Sequence, residues 1–237
     1  NPMVGAVVVR NGEVVGEGYH TRFGEPHAEI EALRAAGDRS EGATIYVTLE
    51  PCAHEGKTPP CADALVAARV ARVVIAARDP NPAAAGGAER LRKAGIEVDT
   101  GVEEGTAREL NAPFFHSFAS KRPWITLKLA VSLDAALADA TGRSRWITGS
   151  ESRRLVHEMR AGSDAIGGGI GTVLSDDPSL TVRDAPAPRV APARVVFDRA
   201  ARLPSASVLA RTARDVPTIV IADSPPASRV TTLGALG

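Results

Sequence analysis

Short β-branched runs alternate with stretches of helical spacing over the first hundred residues, and that alternation restricts the chain to a layered α/β fold. Residues 4–9 and 14–19 are rich in valine and flank Asn11-Gly12, a dipeptide suited to a tight hairpin turn. From His27 the apolar positions Ile30, Leu33 and Ala36 recur at helical spacing until Gly37 stops the run. Residues 43–49 read as a buried strand ending at Glu50-Pro51-Cys52, and 61–70 as a helix entered through Pro59-Pro60. A strand at 73–76, a turn at Asp79-Pro80-Asn81-Pro82, a helix at 88–94 and a strand at 96–98 follow. A helical stretch bearing Phe114, Phe115 and Phe118 closes this pattern near residue 120. The alternation then restarts, which predicts two domains, 1–120 and 121–237. In the second, strands are predicted at 124–130, 194–197 and 218–221, and a helix at 151–160. A further strand begins at Ala165-Ile166 and runs into Gly167-Gly168-Gly169. Residues 184–193 read as a Pro/Ala-rich loop, and the last residues as a polar stretch that completes no unit.

Charge and cysteine content narrow the function classes. Twenty-eight basic residues balance twenty-eight acidic ones, so no global field draws the chain to nucleic acid or to anionic membrane. No apolar run approaches the roughly 20 residues of a membrane-spanning helix. Two cysteines in 237 residues are too few for a secreted disulfide scaffold. They point instead to a reducing compartment, the cytoplasm, and to metal or catalytic use. The opening Asn1-Pro2-Met3 shows neither a signal peptide nor an initiator methionine, so a longer gene product is expected.

Four residues at element ends carry the chemistry. His27 opens a helix, Cys52 ends a strand and Cys61 opens the next helix. Three nitrogen and thiolate ligands are the number that a catalytic zinc site takes while keeping one position for water. Glu29 follows His27 by two residues, close enough to move a proton without ligating the metal. His27-Ala28-Glu29 and Pro51-Cys52 match the two halves of the zinc deaminase signature. The second cysteine departs from that signature, lying nine positions after the first instead of three. The intervening loop brings His54 and Lys57 near the pocket, and Lys57 is a point charge suited to a phosphate. Bland readings compete: a Cys52–Cys61 disulfide, a surface His27, and Glu29 as a solvated charge at a helix N-terminus. His54 offers a fourth, structural ligand, and Lys57 a plain solvated charge. A deaminase acting on another base or nucleoside, and a non-catalytic zinc scaffold, are the rival functions.

With those residues placed, the chain resembles the bifunctional riboflavin-biosynthesis deaminase/reductases. The matching text is Asn1 to Gly5, His27-Ala28-Glu29, Thr48 to Cys52, His54 to Cys61 and Asp79 to Pro82. It continues with Lys128-Leu129-Ala130, Ser132-Leu133-Asp134, Trp146-Ile147-Thr148, Thr172-Val173-Leu174 and Asp176-Asp177-Pro178. The resemblance implies an α/β chain with a cytidine-deaminase-like three-layer domain followed by a dihydrofolate-reductase-like domain, C-terminally incomplete. It implies zinc at His27, Cys52 and Cys61, Glu29 as catalytic acid/base, and a phosphorylated pyrimidine held by Asn1, His54, Lys57, Asp79 and Asn81. In the second domain it implies NADPH at Ala130, Trp146, Thr172 and Asp176, and substrate at Ser144, Arg160, Leu180 and Arg183. A homo-oligomer without nucleic-acid or membrane partners is expected.

The second domain's residues say less by themselves. Gly167 to Gly171 is a weak nucleotide fingerprint, because no clear helix is predicted after it. Arg160 and Arg183 suit either a phosphate or plain surface, and Asp176 is open to a simple turn role. Two positions depart from the family pattern: Ala135 replaces a usual glycine after Ser-Leu-Asp, and Arg199 replaces a serine. The family's first deaminase helix and C-terminal glycine-rich cofactor loop have no counterpart in this sequence.

Overall fold

Asn11 and Gly12 both adopt positive φ, 53° and 82°, and so close the hairpin between β1 (Gly5–Arg10) and β2 (Glu13–Tyr19). The structure is a computed structural model and describes every residue except 1, 57 and 145. It divides into two compact units, Asn1–Leu127 and Lys128–Gly237.

In the first unit, β1 also pairs antiparallel with β3 (Thr44–Leu49). β4 (Arg72–Ala77) and β5 (Glu97–Thr100) then add in parallel, giving the order β2-β1-β3-β4-β5. Helices α1 (Ala28–Ala36), α2 (Cys61–Ala67) and α3 (Gly87–Lys93) cover this sheet. Ala28, Ala32, Leu65, Ala88 and Leu91 share one core with Ala6, Val8, Ile45, Val73 and Ile75. Val74, on the opposite face of β4, is buried as well. Helices α4 (Glu104–Leu110) and α5 (Ala112–Ala119) bring Ala107 and Phe115 against Leu49 and Ala77, near the ends of β3 and β4.

The seat of α1 depends on residues that lack or nearly lack side chains. A Cβ at Gly18 would lie 2.4 Å from the Ala28 carbonyl oxygen and from the Ala32 nitrogen. At Gly16 it would lie 2.4 Å from the Ala32 carbonyl oxygen. Gly16 and Gly18 therefore let the Ala28-Ala32-Ala36 stripe rest directly on β2, and this depth sets where His27 and Glu29 project. Gly18→Ala is expected to lower stability by about 1–3 kcal/mol through overpacking, read as a lower denaturant midpoint at unchanged slope. An unchanged midpoint refutes the close-approach argument.

The second unit holds three parallel strands in the order β6-β7-β8: Ala165–Gly169, Ala193–Phe197 and Thr218–Ile221. Helix α6 (Ser150–Ala161) precedes them, and α7 (Ile170–Asp176), α8 (Val208–Arg211) and α9 (Ala227–Gly234) follow β6, β7 and β8 in turn. Ile170, Val173, Leu180, Val196, Leu203 and Leu209 form the core. Arg194 is buried within β7, and its Nη2 donates to the carbonyls of Leu209, Thr212 and Val216. A guanidinium thus satisfies carbonyls that the short α8 leaves open. Burial pushes its pKa down.

Several expectations need correction. Residues 124–130 form no strand: Ile125 and Leu127 are 77% and 78% exposed, and no neighbouring strand pairs with them among the described residues. A β-rich run becomes a strand only when a partner accepts its ladder. The glycine run is followed directly by a helix, α7, contrary to the sequence reading. Ile170 and Val173, three residues apart, bury one face of it, a spacing too short to stand out beside four glycines. Helix α2 ends at Ala67 instead of residue 70, since Arg69 turns left-handed at φ 54°. Within the polar stretch near the end of the sequence, residues 227–234 form helix α9. Ala135, where the family usually has glycine, sits at φ 62°, a conformation that glycine adopts without strain.

Candidate metal centre and active site

His27 caps the N-terminus of α1 in extended conformation, Cys61 is the first residue of α2, and Cys52 lies three residues beyond β3. Strand β3 and two helix N-termini thus deliver three side chains to one point. His27 Nδ1 stands 3.2 Å from Cys61 Sγ and 3.6 Å from Cys52 Sγ. One ligand atom from each residue lies within 4.8 Å of the others. A tetrahedral zinc with Zn–N near 2.0–2.1 Å and Zn–S near 2.3 Å separates its donors by roughly 3.5–3.8 Å. The donor set therefore fits zinc in both chemistry and spacing.

The cysteines are free thiols, and both are buried. The hydrogen bond with Cys61 holds the Cys52 thiol down at about 4, with His27 acting in the same direction. The Cys61 thiol is pushed strongly up by that same hydrogen bond and by burial. The Cys61 backbone N–H donates to Cys52 Sγ at 3.3 Å, so the helix terminus stabilises the thiolate that metal binding needs. Hydrogen bonding to Cys52 raises the pKa of His27.

Glu29 is 3% exposed in the first turn of α1. Burial lifts its carboxyl to about 7, and the neighbouring His27 charge pulls in the opposite sense. A carboxyl poised near neutrality takes up and releases protons at similar cost, the property of an acid/base catalyst.

His27, Glu29, Cys52, His54, Asp79 and Asn81 all line one cavity of about 260 Å³. Asp79 Oδ1 accepts from the Asn81 N–H and Asn81 Oδ1 from the Ala83 N–H, which stiffens the turn after β4. Among the described residues Asp79 Oδ2 and Asn81 Nδ2 make no hydrogen bond, leaving an acceptor and a donor for a ligand. Burial raises the Asp79 pKa. Asn1 and Lys57, both expected at the substrate, lie outside the described residues.

Sequence reasoning missed three contributors. His20, at the end of β2, donates from Nδ1 to the Pro26 carbonyl at 3.1 Å and packs edge-to-face on His27. Its presence seven residues before His27 was the available signal. Glu50 is buried and accepts from the backbone N–H groups of Asp79, Gly86 and Ala88. It ties the Asp79–Asn81 turn and the start of α3 to the strand end that carries Cys52. Phe114 also lines the cavity, although its sequence pattern indicates only a helix.

In the second unit the structure brings Arg160, Leu180 and Arg183 together. Arg160 donates from Nη1 to the Thr181 carbonyl, and Arg183 Nη1 donates to Ser179 Oγ and Thr181 Oγ1. Leu180 is buried at φ 47°, a strained backbone of the kind found at ligand sites. Thr172 and Asp176 lie on α7, and Trp146 lies under the Arg153 guanidinium. Among the described residues no hydrogen bond ties Ala130 or Ser144 to the arginine pair.

Comparison with known proteins accounts for both units. Residues 1–77 match the cytidine and deoxycytidylate deaminase zinc-binding region, and residues 123–233 the RibD C-terminal domain. The chain is 51% identical to the riboflavin biosynthesis protein RibD of Aquifex aeolicus (strain VF5), over 93% of this chain and 62% of that protein. It is 56% identical to RibD of Escherichia coli (strain K12), over 77% of this chain and 50% of that one. The chain belongs to the RibD family. The solved structure of Acinetobacter baumannii RibD superposes with a TM-score of 0.80 at 45% identity, covering 99% of this chain and 66% of the other. The Thermotoga maritima diaminohydroxyphosphoribosylaminopyrimidine deaminase/5-amino-6-(5-phosphoribosylamino)uracil reductase gives 0.84 at 43% identity, covering 94% and 64%. The chain thus spans between half and two thirds of the relatives' length. Its units have the cytidine-deaminase-like and RibD reductase-like α/β folds of that family. No helix among the described residues is long and apolar enough to cross a membrane.

Proposed function

We propose that the first unit hydrolytically deaminates 2,5-diamino-6-(5-phosphoribosylamino)pyrimidin-4(3H)-one to 5-amino-6-(5-phosphoribosylamino)uracil, and that the second serves NADPH-dependent reduction of the ribosyl group to ribityl. The observation that carries the first part is the convergence of His27, Cys52 and Cys61 donors beside buried Glu29 at one cavity. A zinc ion held there would acidify a water molecule to about neutral pH. Glu29 takes a proton from the water whose oxygen bonds to C2 of the pyrimidine. It delivers that proton to the ring nitrogen, then takes the remaining proton from the new C2 hydroxyl and passes it to the departing amine as the C2–N bond breaks and the C2 carbonyl forms. Asp79 and Asn81 hold the base, and His54, Lys57 and Asn1 the ribose phosphate.

For the second unit, Ala130, Trp146, Thr172 and Asp176 would hold NADPH, which supplies the hydride. Open space beside Gly168, Gly169 and Gly171, where a Cβ would meet nothing within 4 Å, suits close approach of a cofactor to the backbone. Arg160 and Arg183 would bind the substrate's anionic part, with Leu180 and Ser144 beside it. Free buried thiols support a cytoplasmic location, and we expect a homo-oligomer acting on small molecules. The assignments follow the division near residue 120 and the family's motifs at these positions.

Ammonia release by the zinc-loaded chain, with and without NADPH, tests the assignment. Release without NADPH on the diaminopyrimidinone substrate is expected, at a rate well above that on cytosine, guanine or nucleosides. Faster turnover of any of those overturns the substrate assignment. NADPH oxidation following release reports the second activity.

A further inference from the structure

Helix α6 carries a histidine to which neither the motifs nor the proposed mechanism gives a role. His157 is 8% exposed, and its Nδ1 lies 3.0 Å from the backbone nitrogen of Arg183. A backbone N–H only donates, so Nδ1 is the acceptor and the ring is neutral with its proton on Nε2. One helical turn on, Arg160 reaches the Thr181 carbonyl of the same loop. The loop 179–183 is therefore tied to α6 twice, and the His157 tie fixes Arg183, whose charge is felt by Arg160. Two neighbouring cations without a carboxylate bridging them, among the described residues, form a site for an anion.

We infer that His157 is a positioning residue that, as a neutral imidazole, holds Arg183 in register with Arg160 for anion binding. This rests on reading the arginine pair as the reductase substrate's anion site. The surroundings agree with the neutral form: burial lowers the His157 pKa, the charges of Arg160 and Arg183 lower it further, and Asp184 opposes them. A protonated ring would lose the Arg183 N–H and add a third cation to the cluster. The left-handed backbone at Leu180 gives the loop a reason to need the tie, because a strained turn relaxes unless its flanks are held.

The test uses the whole chain at pH 8 and inorganic sulfate, whose charge does not change with pH in this range. Sulfate affinity is measured by calorimetry for the native protein, His157→Asn, His157→Leu and, as control, Arg160→Gln. The asparagine oxygen, like Nδ1 attached to Cγ, reproduces the acceptor, so His157→Asn is expected to bind within twofold of the native protein. His157→Leu removes the acceptor and is expected to bind about fivefold more weakly, the effect of one lost hydrogen bond. Long-range 15N spectra of the native protein are expected to show Nδ1 unprotonated. Native affinity in His157→Leu, or a proton on Nδ1, overturns the inference, and the spectra decide even if the leucine variant fails to fold. If Arg160→Gln leaves sulfate binding unchanged, the anion site itself is wrong and His157 loses its role with it. The 15N result then still reports separately on the loop contact.

Discussion

Glu29→Gln reduces ammonia release by roughly 10²–10⁴-fold while the protein keeps its zinc. The amide has nearly the volume of the carboxyl and fits the same buried position in α1, so the three donors need not move. What it lacks is a proton to exchange. Metal content by mass spectrometry and turnover by an ammonia assay separate the two properties, and substantial residual turnover with zinc bound removes Glu29 from the mechanism. A non-catalytic zinc scaffold predicts no such separation, because it has no use for this carboxyl. Stability should move in the opposite sense. Burial raises the Glu29 pKa from 4.5 to about 7, so the folded state loses stability as pH rises through that window. In the metal-stripped protein, Glu29→Gln should therefore melt above the native chain at pH 8, with the difference shrinking towards pH 4.5. A destabilised glutamine variant at pH 8 contradicts the burial argument.

Cys61→Ser is expected to weaken zinc binding by more than about 100-fold, beyond the loss typical of a group that only supports a ligand. Activity falls with the metal. Cys61 is fully buried at the start of α2, so the serine hydroxyl occupies the thiol's place but is a poor ligand for zinc. Because metal binding contributes to folding, a chelator should lower the melting temperature of the native protein and leave that of Cys61→Ser unchanged. Reductant should affect neither. A melting temperature that responds to reductant and not to chelator favours a Cys52–Cys61 disulfide.

The loop between the cysteines shows how the sequence and the fold divide the work. Eight residues separate Cys52 from Cys61, and spacing alone does not say that both thiols return to one point. They do so because β3 ends where α2 begins, a juxtaposition made by parallel pairing of β3 with β4 and by the packing of α2 against α3. Glu50 was legible as part of a motif, but its three backbone partners lie 29 to 38 residues away. No local pattern reports such contacts. His20 offered only its spacing from His27 for a similar reason, since a lone histidine acquires meaning only when Pro26 and His27 fold against it.

The second unit was harder to read because its signals are weaker and its contacts longer in sequence. The β-rich stretch at 124–130 has strand propensity without a partner, and propensity alone does not make a ladder. Arg194 looked like an ordinary member of a strand, yet it is buried and bonded to carbonyls 15 to 22 residues ahead.

The sequence by itself determined the hairpin at Asn11-Gly12, the start of α1 at His27 and its stop at Gly37, and which side chains are the candidate metal donors with their adjacent carboxyl. These depend on backbone preferences and side-chain chemistry that act within a few residues. Only the tertiary structure decided the distances among His27, Cys52 and Cys61, the burial that lifts Glu29 towards neutrality, and the loop 179–183 that Arg160 and Arg183 both engage. Those properties depend on desolvation and on contacts between segments far apart in the chain, which exist only once the strands have paired and the helices have packed on them.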